Sequence, residues 1–270
     1  MIPLKNDPIM LREAQHERKI VNGINVIPVR PEHCRRVNEG FSAESVSQAS
    51  RLSPFASSLF KMSIAKEGYP FILAATLLAL LALALGWEWA GLVFVLADLA
   101  FLGFFRDPER VPPRGEGLIL SPADGRVLGI KRVEKELLFE GTETRVSIFM
   151  SPLDVHVNRA PVQGMVEEIR HQKGSFFAAY REEASENNEK NALRIVDGKG
   201  RKFGVVQIAG VLARRIVCYV RKGDSLELGQ RFGLIMFGSR VDLFLPQGSR
   251  VDVAQGQRVR AVETVIGRLQ

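Results

Sequence analysis

The sequence predicts a mainly β fold, a barrel or sandwich, preceded by a hydrophobic helical hairpin. Residues 62–105 are intensely apolar, whereas residues 106–270 alternate between apolar and polar positions and contain many valines and glycines. Alternation with period two indicates strands with one buried face, and frequent Gly and Asp-Gly turns indicate that these strands are short. With 46% hydrophobic residues among 270, the chain can bury a core of ordinary size.

The apolar segment consists of two runs. YPFILAATLLALLALALG (69–86) has no charge, and AGLVFVLADLAFLGFF (90–105) carries only Asp98. Each run is a little shorter than the ~20 residues of a spanning helix. Because Trp-Glu-Trp separates the runs and basic residues flank their outer ends, we interpret the segment as a membrane hairpin with both ends in the cytoplasm. A re-entrant hairpin and a buried hairpin of a soluble protein are the alternatives.

Residues 1–61 are polar, mixed in charge and without sustained periodicity, which predicts a disordered extension. Met62 opens MSIAKEGYPFIL directly before the first apolar run, so a true start at Met62 is the alternative to Met1. The predicted organisation is therefore an extension (1–61), a membrane-associated hairpin (62–105) and a β-rich catalytic domain (106–270).

The net charge of +7 favours an anionic partner, which is either a lipid surface or nucleic acid. Because the basic residues are dispersed and a membrane hairpin is predicted, we expect no nucleic-acid partner. Cys34 and Cys218 give neither a disulfide framework nor metal-ligand spacing, so we expect a reducing, cytoplasm-facing environment and no metal.

Seven stretches of the third segment have strand character. They are GRVLGIKRV (125–133), TRVSIFM (144–150), GMVEEIRH (164–171), NALRIVD (191–197), KFGVVQIAG (202–210), RRIVCYV (214–220) and GQRFGLIMF (229–237). Near the C-terminus, RKGDSLELGQ and PQGSRVDVAQGQ both place a turn before a short strand and a glycine after it. This rhythm resembles the biotinyl/lipoyl hammerhead, so a carrier or binding module is one alternative function. Such carriers present a lysine at a hairpin tip, where this chain has Phe-Gly-Ser-Arg.

The stretch LIMFGSRVDLFLP (234–246) raises a separate question, because an apolar run stops at Gly238-Ser239-Arg240 and then resumes. A hairpin turn explains the break, and so does a site at which the backbone itself reacts. Glycine tolerates strained geometry and leaves its carbonyl open, and the following serine can attack that carbonyl through a five-membered ring.

Two other clusters contain candidate chemistry. His156 lies between two valines in an extended-looking run, with Asp154 and Asn158 on its own side of a strand. Asp124 lies in an Asp-Gly turn, which is an ordinary place for an aspartate.

Taken together, FFRDPER, SPADGRV, FMSPLDVHVNRAP, NNEKN and FGSRVDLFLP occur in the order found in phosphatidylserine decarboxylases. The sequence resembles the short bacterial and archaeal branch of that family over residues 62–270. The longer branch carries Leu-Gly-Ser-Thr at its cleavage site, so this chain keeps the Gly-Ser pair. The resemblance leaves open whether the lipid has acyl or ether chains, that is, whether the enzyme is an archaetidylserine decarboxylase.

The resemblance implies self-cleavage between Gly238 and Ser239, giving a β chain (1–238) and an α chain (239–270). It also implies a pyruvoyl cofactor made from Ser239, which would form a Schiff base with phosphatidylserine and release phosphatidylethanolamine. His156 is the candidate base, with Asp124 orienting it. Candidates for binding the head group are Arg106, Arg110 and Arg159.

The partners implied are phosphatidylserine, the cell membrane and the two chains of one precursor, and the sequence leaves a homodimer open. A membrane-bound serine hydrolase using Ser239, His156 and Asp124 is a further alternative. It would need an intact chain, and the Gly-x-Ser-x-Gly elbow is missing around Ser239.

Overall fold

The computed structural model describes residues 62–136, 138–175, 177, 187–210, 215–236 and 239–269, all within the unit Phe55–Gln270. The predicted extension 1–61 lies outside the described residues, and so does Gly238 of the predicted cleavage site.

Two apolar helices follow a short first strand, α1 (Tyr69–Ala84) and α2 (Glu88–Phe104). Both are rich in leucine and alanine, which are strong helix formers, and a proline at the first turn favours the start of α1. The two helices pack closely, since a Cβ added to Gly91 would lie 2.5 Å from Leu83 Cδ2. Thr76 Oγ1 also donates a hydrogen bond to Asp98 Oδ2 at 2.9 Å across the pair.

Most large side chains of α1 and α2 face outward; Leu73 is 61% exposed and Trp89 is 83% exposed. One described helical stretch, Lys66–Ala84, is long and apolar enough to cross a membrane by its length and composition, with a mean hydropathy of 1.8. An apolar surface of this extent is typical of a segment that contacts lipid or another protein.

The remainder is mainly β, as predicted. In chain order the strands are β1 (Met62–Ile64), β2 (Arg106–Pro108), β3 (Leu118–Leu120), β4 (Gly125–Glu136), β5 (Phe139–Met150), β6 (Val157–Arg159), β7 (Gly164–Gln172), β8 (Lys190–Val196), β9 (Lys202–Ala209), β10 (Ile216–Cys218), β11 (Ser225–Leu226), β12 (Arg231–Ile235), β13 (Ser239–Leu245), β14 (Arg250–Val251), β15 (Arg258–Val259) and β16 (Val265–Arg268).

The largest sheet has eight strands in the order β11-β7-β8-β9-β13-β5-β4-β15 and curls into a half-barrel. All its strand pairs are antiparallel. The smaller sheets are β1-β2, β10-β12-β6 and β14-β16-β3. Strands β12 and β13 follow one another along the chain but lie in different sheets, so the hairpin-turn interpretation of LIMFGSRVDLFLP is wrong.

Strand β13 is buried on both faces. Val241, Leu243 and Leu245 pack into the main core on the inner face, and Phe244 packs with Val206 and others on the outer face. A strand with two buried faces is expected to show a nearly continuous apolar run, as 241–245 does apart from Asp242.

A separate hydrophobic cluster joins the helices to the β domain. Phe104 and Phe105, at the end of α2, pack with Val155, Val157 and Leu234. The backbone N–H of Ala65 also donates to the Phe105 carbonyl at 2.8 Å. The end of α2 is therefore fixed against the strand region that contains His156.

Candidate active site

Ser239 is the first residue of β13, between two neighbouring strands. It lies opposite Met150 of β5 and Ala209 of β9, and it has no solvent exposure. Its hydroxyl donates to the Met150 sulfur at 3.4 Å. Because a thioether is a weak acceptor, this contact leaves the serine oxygen available as a nucleophile.

A chain of buried amides leads to this sulfur from the other side. Asn191 Nδ2 donates to Gln207 Oε1 at 3.0 Å, and Gln207 Nε2 donates to Asn158 Oδ1 at 2.8 Å. Asn158 Nδ2 then contacts the Met150 sulfur at 3.7 Å. The amides lie on β8, β9 and β6. The chain of amides therefore links the eight-stranded sheet to the sheet β10-β12-β6.

Gln207 was not identified in the sequence analysis. Its only signal in the sequence is that it is a polar residue inside the largely apolar run KFGVVQIAG. In the structure the Gln207 side chain is completely buried. The backbone of β12 lies close to the Gln207 side chain and helps to enclose it. A Cβ added to Gly233 of β12 would lie 2.8 Å from Gln207 Nε2 and 2.4 Å from the Val217 carbonyl oxygen.

His156 is fully buried, and its ring lies 4.1 Å from the ring of Phe104, centroid to centroid. Nδ1 lies 2.8 Å from the carbonyl oxygen of Asp154. Because a carbonyl oxygen only accepts, we assign the proton to Nδ1, which leaves a lone pair on Nε2. Nε2 has no hydrogen-bond partner within the described part of the chain.

Burial lowers the pKa of His156 from 6.5 to about 4, an effect opposed mainly by Asp154. The imidazole is therefore neutral at pH 7, in the form that accepts a proton. A buried, neutral histidine with one free nitrogen has the properties of a general base.

Asp154 holds the loop before His156. Its carboxylate accepts hydrogen bonds from the Ser151 N–H at 2.9 Å and the Ser151 hydroxyl at 2.7 Å, and it pairs with Arg258 at 3.0 Å. Asp154 and His156 therefore do lie side by side, but Asp154 contacts the His156 ring through its backbone carbonyl rather than through its carboxylate.

Asp124 lies in a different set of contacts. Its carboxylate is bound in a two-point contact by Arg110, with Nη2–Oδ2 at 2.8 Å, and it accepts the Ala261 N–H at 2.8 Å. Its charge raises the pKa of His156 as the smallest of five influences. The orienting role for Asp124 stays a prediction, because the described contact of Nδ1 is with Asp154.

The three candidate head-group arginines differ in their partners. Arg159 is buried and pairs with Asp107 at 2.7 Å, and Arg110 pairs with Asp124. Arg106 donates to two backbone carbonyls, that of Gly103 and that of Leu153, the latter at 2.6 Å. Within the described chain, only Arg106 of the three has no carboxylate contact.

Neither of two cavities in the described part of the chain is lined by Ser239. A cavity of about 740 Å³ lies away from Ser239, lined by residues such as Gln163, Asp197 and Ser225. A second, of about 350 Å³, lies at the base of the helices and is lined by Lys66, Val157 and others. The described residues contain no group of metal-ligating side chains.

These observations define a class of site in which a buried serine follows a glycine in the sequence and a buried, neutral histidine has one unpartnered ring nitrogen among the described residues. The family described as phosphatidylserine decarboxylase matches residues 97–267. The chain belongs to this family.

Relatives named phosphatidylserine decarboxylase proenzyme support the same assignment. The protein of Symbiobacterium thermophilum is 49% identical over 208 residues, covering 76% of this chain and 95% of the relative. The Azorhizobium caulinodans protein is 48% identical over 206 residues, covering 75% and 88%. The Desulfotalea psychrophila protein is 42% identical over 209 residues, covering 77% and 98%.

Proposed function

We propose that this protein decarboxylates phosphatidylserine to phosphatidylethanolamine after cutting its own chain between Gly238 and Ser239. The observation that supports this most strongly is the position of Ser239, buried at the start of a central strand, in a chain that belongs to a family of proenzymes.

In the proposed self-cleavage, Ser239 Oγ adds to the Gly238 carbonyl and the amide becomes an ester. Elimination of the Gly238 carboxylate leaves residue 239 as dehydroalanine, and addition of water releases ammonia and leaves a pyruvoyl group. The products are the β chain (1–238) and the α chain (239–270). His156 Nε2 accepts the hydroxyl proton, because it is the free nitrogen of a neutral ring.

The residues around position 239 fit such a group. Among the described residues, the Ser239 hydroxyl contacts the Met150 sulfur, which in turn contacts the Asn158 amide, and both of these groups are neutral. When formed, the pyruvoyl ketone supplies an electron sink for loss of carbon dioxide. In that reaction His156 Nε2 first accepts a proton and is then the proposed donor of that proton to the product carbon. Asp124 acts on His156 through its charge.

Arg106 is our candidate for the lipid phosphate. It lies at the end of α2, and its contact with the Leu153 carbonyl ties it to the loop that leads to His156. Since its described partners are neutral carbonyls, its charge remains available to an anion. Arg110 and Arg159 are the weaker candidates, because each already pairs with a buried aspartate.

The helices α1 and α2 are proposed as a membrane hairpin, on the strength of their outward apolar side chains, with the catalytic domain facing the cytoplasm. The hammerhead likeness of the C-terminal part also stays a proposal. A carrier function is disfavoured, because Ser239 is buried within a sheet rather than presented at a tip.

The function is tested by following phosphatidylethanolamine formation from phosphatidylserine in detergent micelles. The wild-type protein is expected to form it and Ser239→Ala is expected to form none. Arg106→Met is expected to raise KM about tenfold with a smaller change in kcat, as loss of one charge-assisted contact predicts. Product formation by Ser239→Ala would contradict the proposal, and an unchanged KM would remove Arg106 from it.

A further inference from the structure

The outer face of β13 contains a buried ion pair immediately after Ser239. Arg240 is 3% exposed and Asp242 is fully buried. The Arg240 fork binds the Asp242 carboxylate at two points, with Nε–Oδ1 at 2.6 Å and Nη2–Oδ2 at 2.8 Å. The same Nη2 also donates to the Ser147 hydroxyl on β5 at 2.8 Å. We call these three residues the β13 clamp.

The clamp is on the opposite face from the proposed chemistry. Ser239 and Val241 face inward, whereas Arg240 and Asp242 face outward, because side chains alternate along a strand. None of the three clamp residues therefore belongs to the reacting pocket. Burying a charge pair costs desolvation energy, so its presence on a central strand calls for a role other than simple stabilisation.

The proposed cleavage weakens the strand at this position. Before cleavage, β13 is continuous with the chain at Gly238. Afterwards residue 239 is a chain end whose nitrogen has left as ammonia, so it can no longer donate a backbone hydrogen bond to a neighbouring strand. Strand ends with few restraints open easily. Arg240 is then the first residue with a complete backbone unit.

The clamp connects Arg240 to β5, which is also the strand that contacts Ser239. Ser147 is on β5, directly opposite Asp242, and β5 also contains Met150, the contact of Ser239. Arg240 thus ties the new chain end both along β13, through Asp242, and across to β5, through Ser147. A reactive group displaced by about 1 Å can lose ~10²-fold in rate.

We propose that Arg240, held by Asp242 and Ser147, is a positioning residue that keeps the α-chain end in place against Met150 after cleavage. The inference rests on the proposed function and adds to it a residue that acts on turnover rather than on maturation. The fork of arginine is required, because lysine keeps the charge but cannot bind a carboxylate at two points.

The test compares Arg240→Met, Arg240→Lys and Ser147→Ala with wild type. The measurements are the extent of cleavage by intact mass, the number of ketones by titration with a hydrazide reagent, and kcat and KM per ketone. Arg194→Met is the matched control, because Arg194 lies in the same sheet and is also held by two contacts with carboxylate groups, in its case those of Glu167 and Glu168.

We expect every variant to be cleaved. For Arg240→Met, kcat per ketone should fall at least tenfold while KM stays within about twofold. Arg240→Lys should recover part of the loss, Ser147→Ala should fall about threefold, and Arg194→Met should match wild type. A kcat per ketone within twofold of wild type in both Arg240→Met and Ser147→Ala would overturn the inference.

One further outcome also decides against the inference. An equal fall in Arg194→Met would show a general effect of losing an ion pair. If Arg240→Met does not fold, Ser147→Ala, which leaves the Arg240–Asp242 pair in place, decides alone. Failure of the proposed function itself is distinguishable, because wild type would then be uncut and contain no ketone.

Discussion

At residue 239 a serine hydroxyl is buried beside the Met150 sulfur, and the proposed base is the buried ring of His156. His156 is neutral because its ring is surrounded by apolar groups such as Phe104, and its tautomer is set by the Asp154 carbonyl. Period-two alternation predicted that Asp154 and His156 would lie together, but it assigned no atom to the contact. Whether a backbone or a side-chain oxygen accepts the hydrogen bond from Nδ1 depends on the loop conformation, which the alternation pattern does not encode.

The histidine also predicts a pH dependence. With a pKa lowered to about 4, Nε2 stays unprotonated well below pH 6.5 and becomes protonated only as the pH falls through 4. Precursor made by cell-free translation should therefore cleave at a constant rate from pH 8 to about pH 5 and more slowly below. The same shift favours the folded state above pH 6.5, and this contribution is lost as the pH falls from 6.5 towards 4.

The measurement is the cleavage half-time across this range, with intrinsic fluorescence as a control that the protein is still folded. A rate that halves near pH 6.5 in folded protein would mean that His156 titrates normally or that another group is the base.

At the scale of elements, sequence patterns located the strands, because alternation of buried and exposed positions is enough to predict a strand. Each of the seven stretches predicted as strands overlaps one observed strand, namely β4, β5, β7, β8, β9, β10 and β12, although the bounds differ by several residues at β5 and β10. The patterns could not identify partners, because register joins residues that are far apart in the chain. Asn191 and Gln207 face each other on β8 and β9, and Asn158 reaches them from another sheet. The motif FFRDPER likewise supplied two arginines as candidates for the head group, but the motif itself gave no sign that Asp107 within it pairs with Arg159.

The close approach of β12 to Gln207 gives a prediction for Gly233. A Cβ there would meet the Val217 carbonyl and the Gln207 amide, so Gly233→Ala should displace the amide chain. We expect a loss of about 1–3 kcal/mol in the free energy of unfolding and slower self-cleavage. Gly129→Ala is the matched control, since a Cβ on this strand glycine meets nothing within 4 Å. Equal melting temperatures and cleavage half-times for the two variants would contradict the proposed contact.

At the scale of the whole molecule, two features favour a membrane: the apolar surface of α1 and α2 and the net charge of +7. They differ in their response to salt, because the attraction of exposed charges is screened over ~3 Å at 1 M salt, whereas apolar burial is not weakened. A protein beginning at Met62 should therefore float with phosphatidylserine-containing vesicles, and 1 M NaCl should not release it. Release by salt would show that the protein binds the vesicles through its charge, and it would contradict insertion of the hairpin into the bilayer.

Hydropathy located the helical segment, but it could not show that Phe104 at its end packs on His156. This contact places the proposed membrane surface and the proposed base next to each other, which suits a substrate that arrives from a bilayer. It arises from the tertiary packing of one phenylalanine among many in the segment, and no local pattern distinguishes it.

The central claim is that Ser239 becomes a pyruvoyl group by cutting the chain, and intact mass of the purified, detergent-solubilised protein tests it most directly. We expect two chains, of which the smaller spans 239–270 and is lighter by one ammonia than a peptide that begins with Ser239. The mass of the larger chain also distinguishes a start at Met1 from one at Met62. A single uncut chain in folded protein, or a smaller fragment with an unmodified serine at its amino terminus, would show that Ser239 does not become a pyruvoyl group.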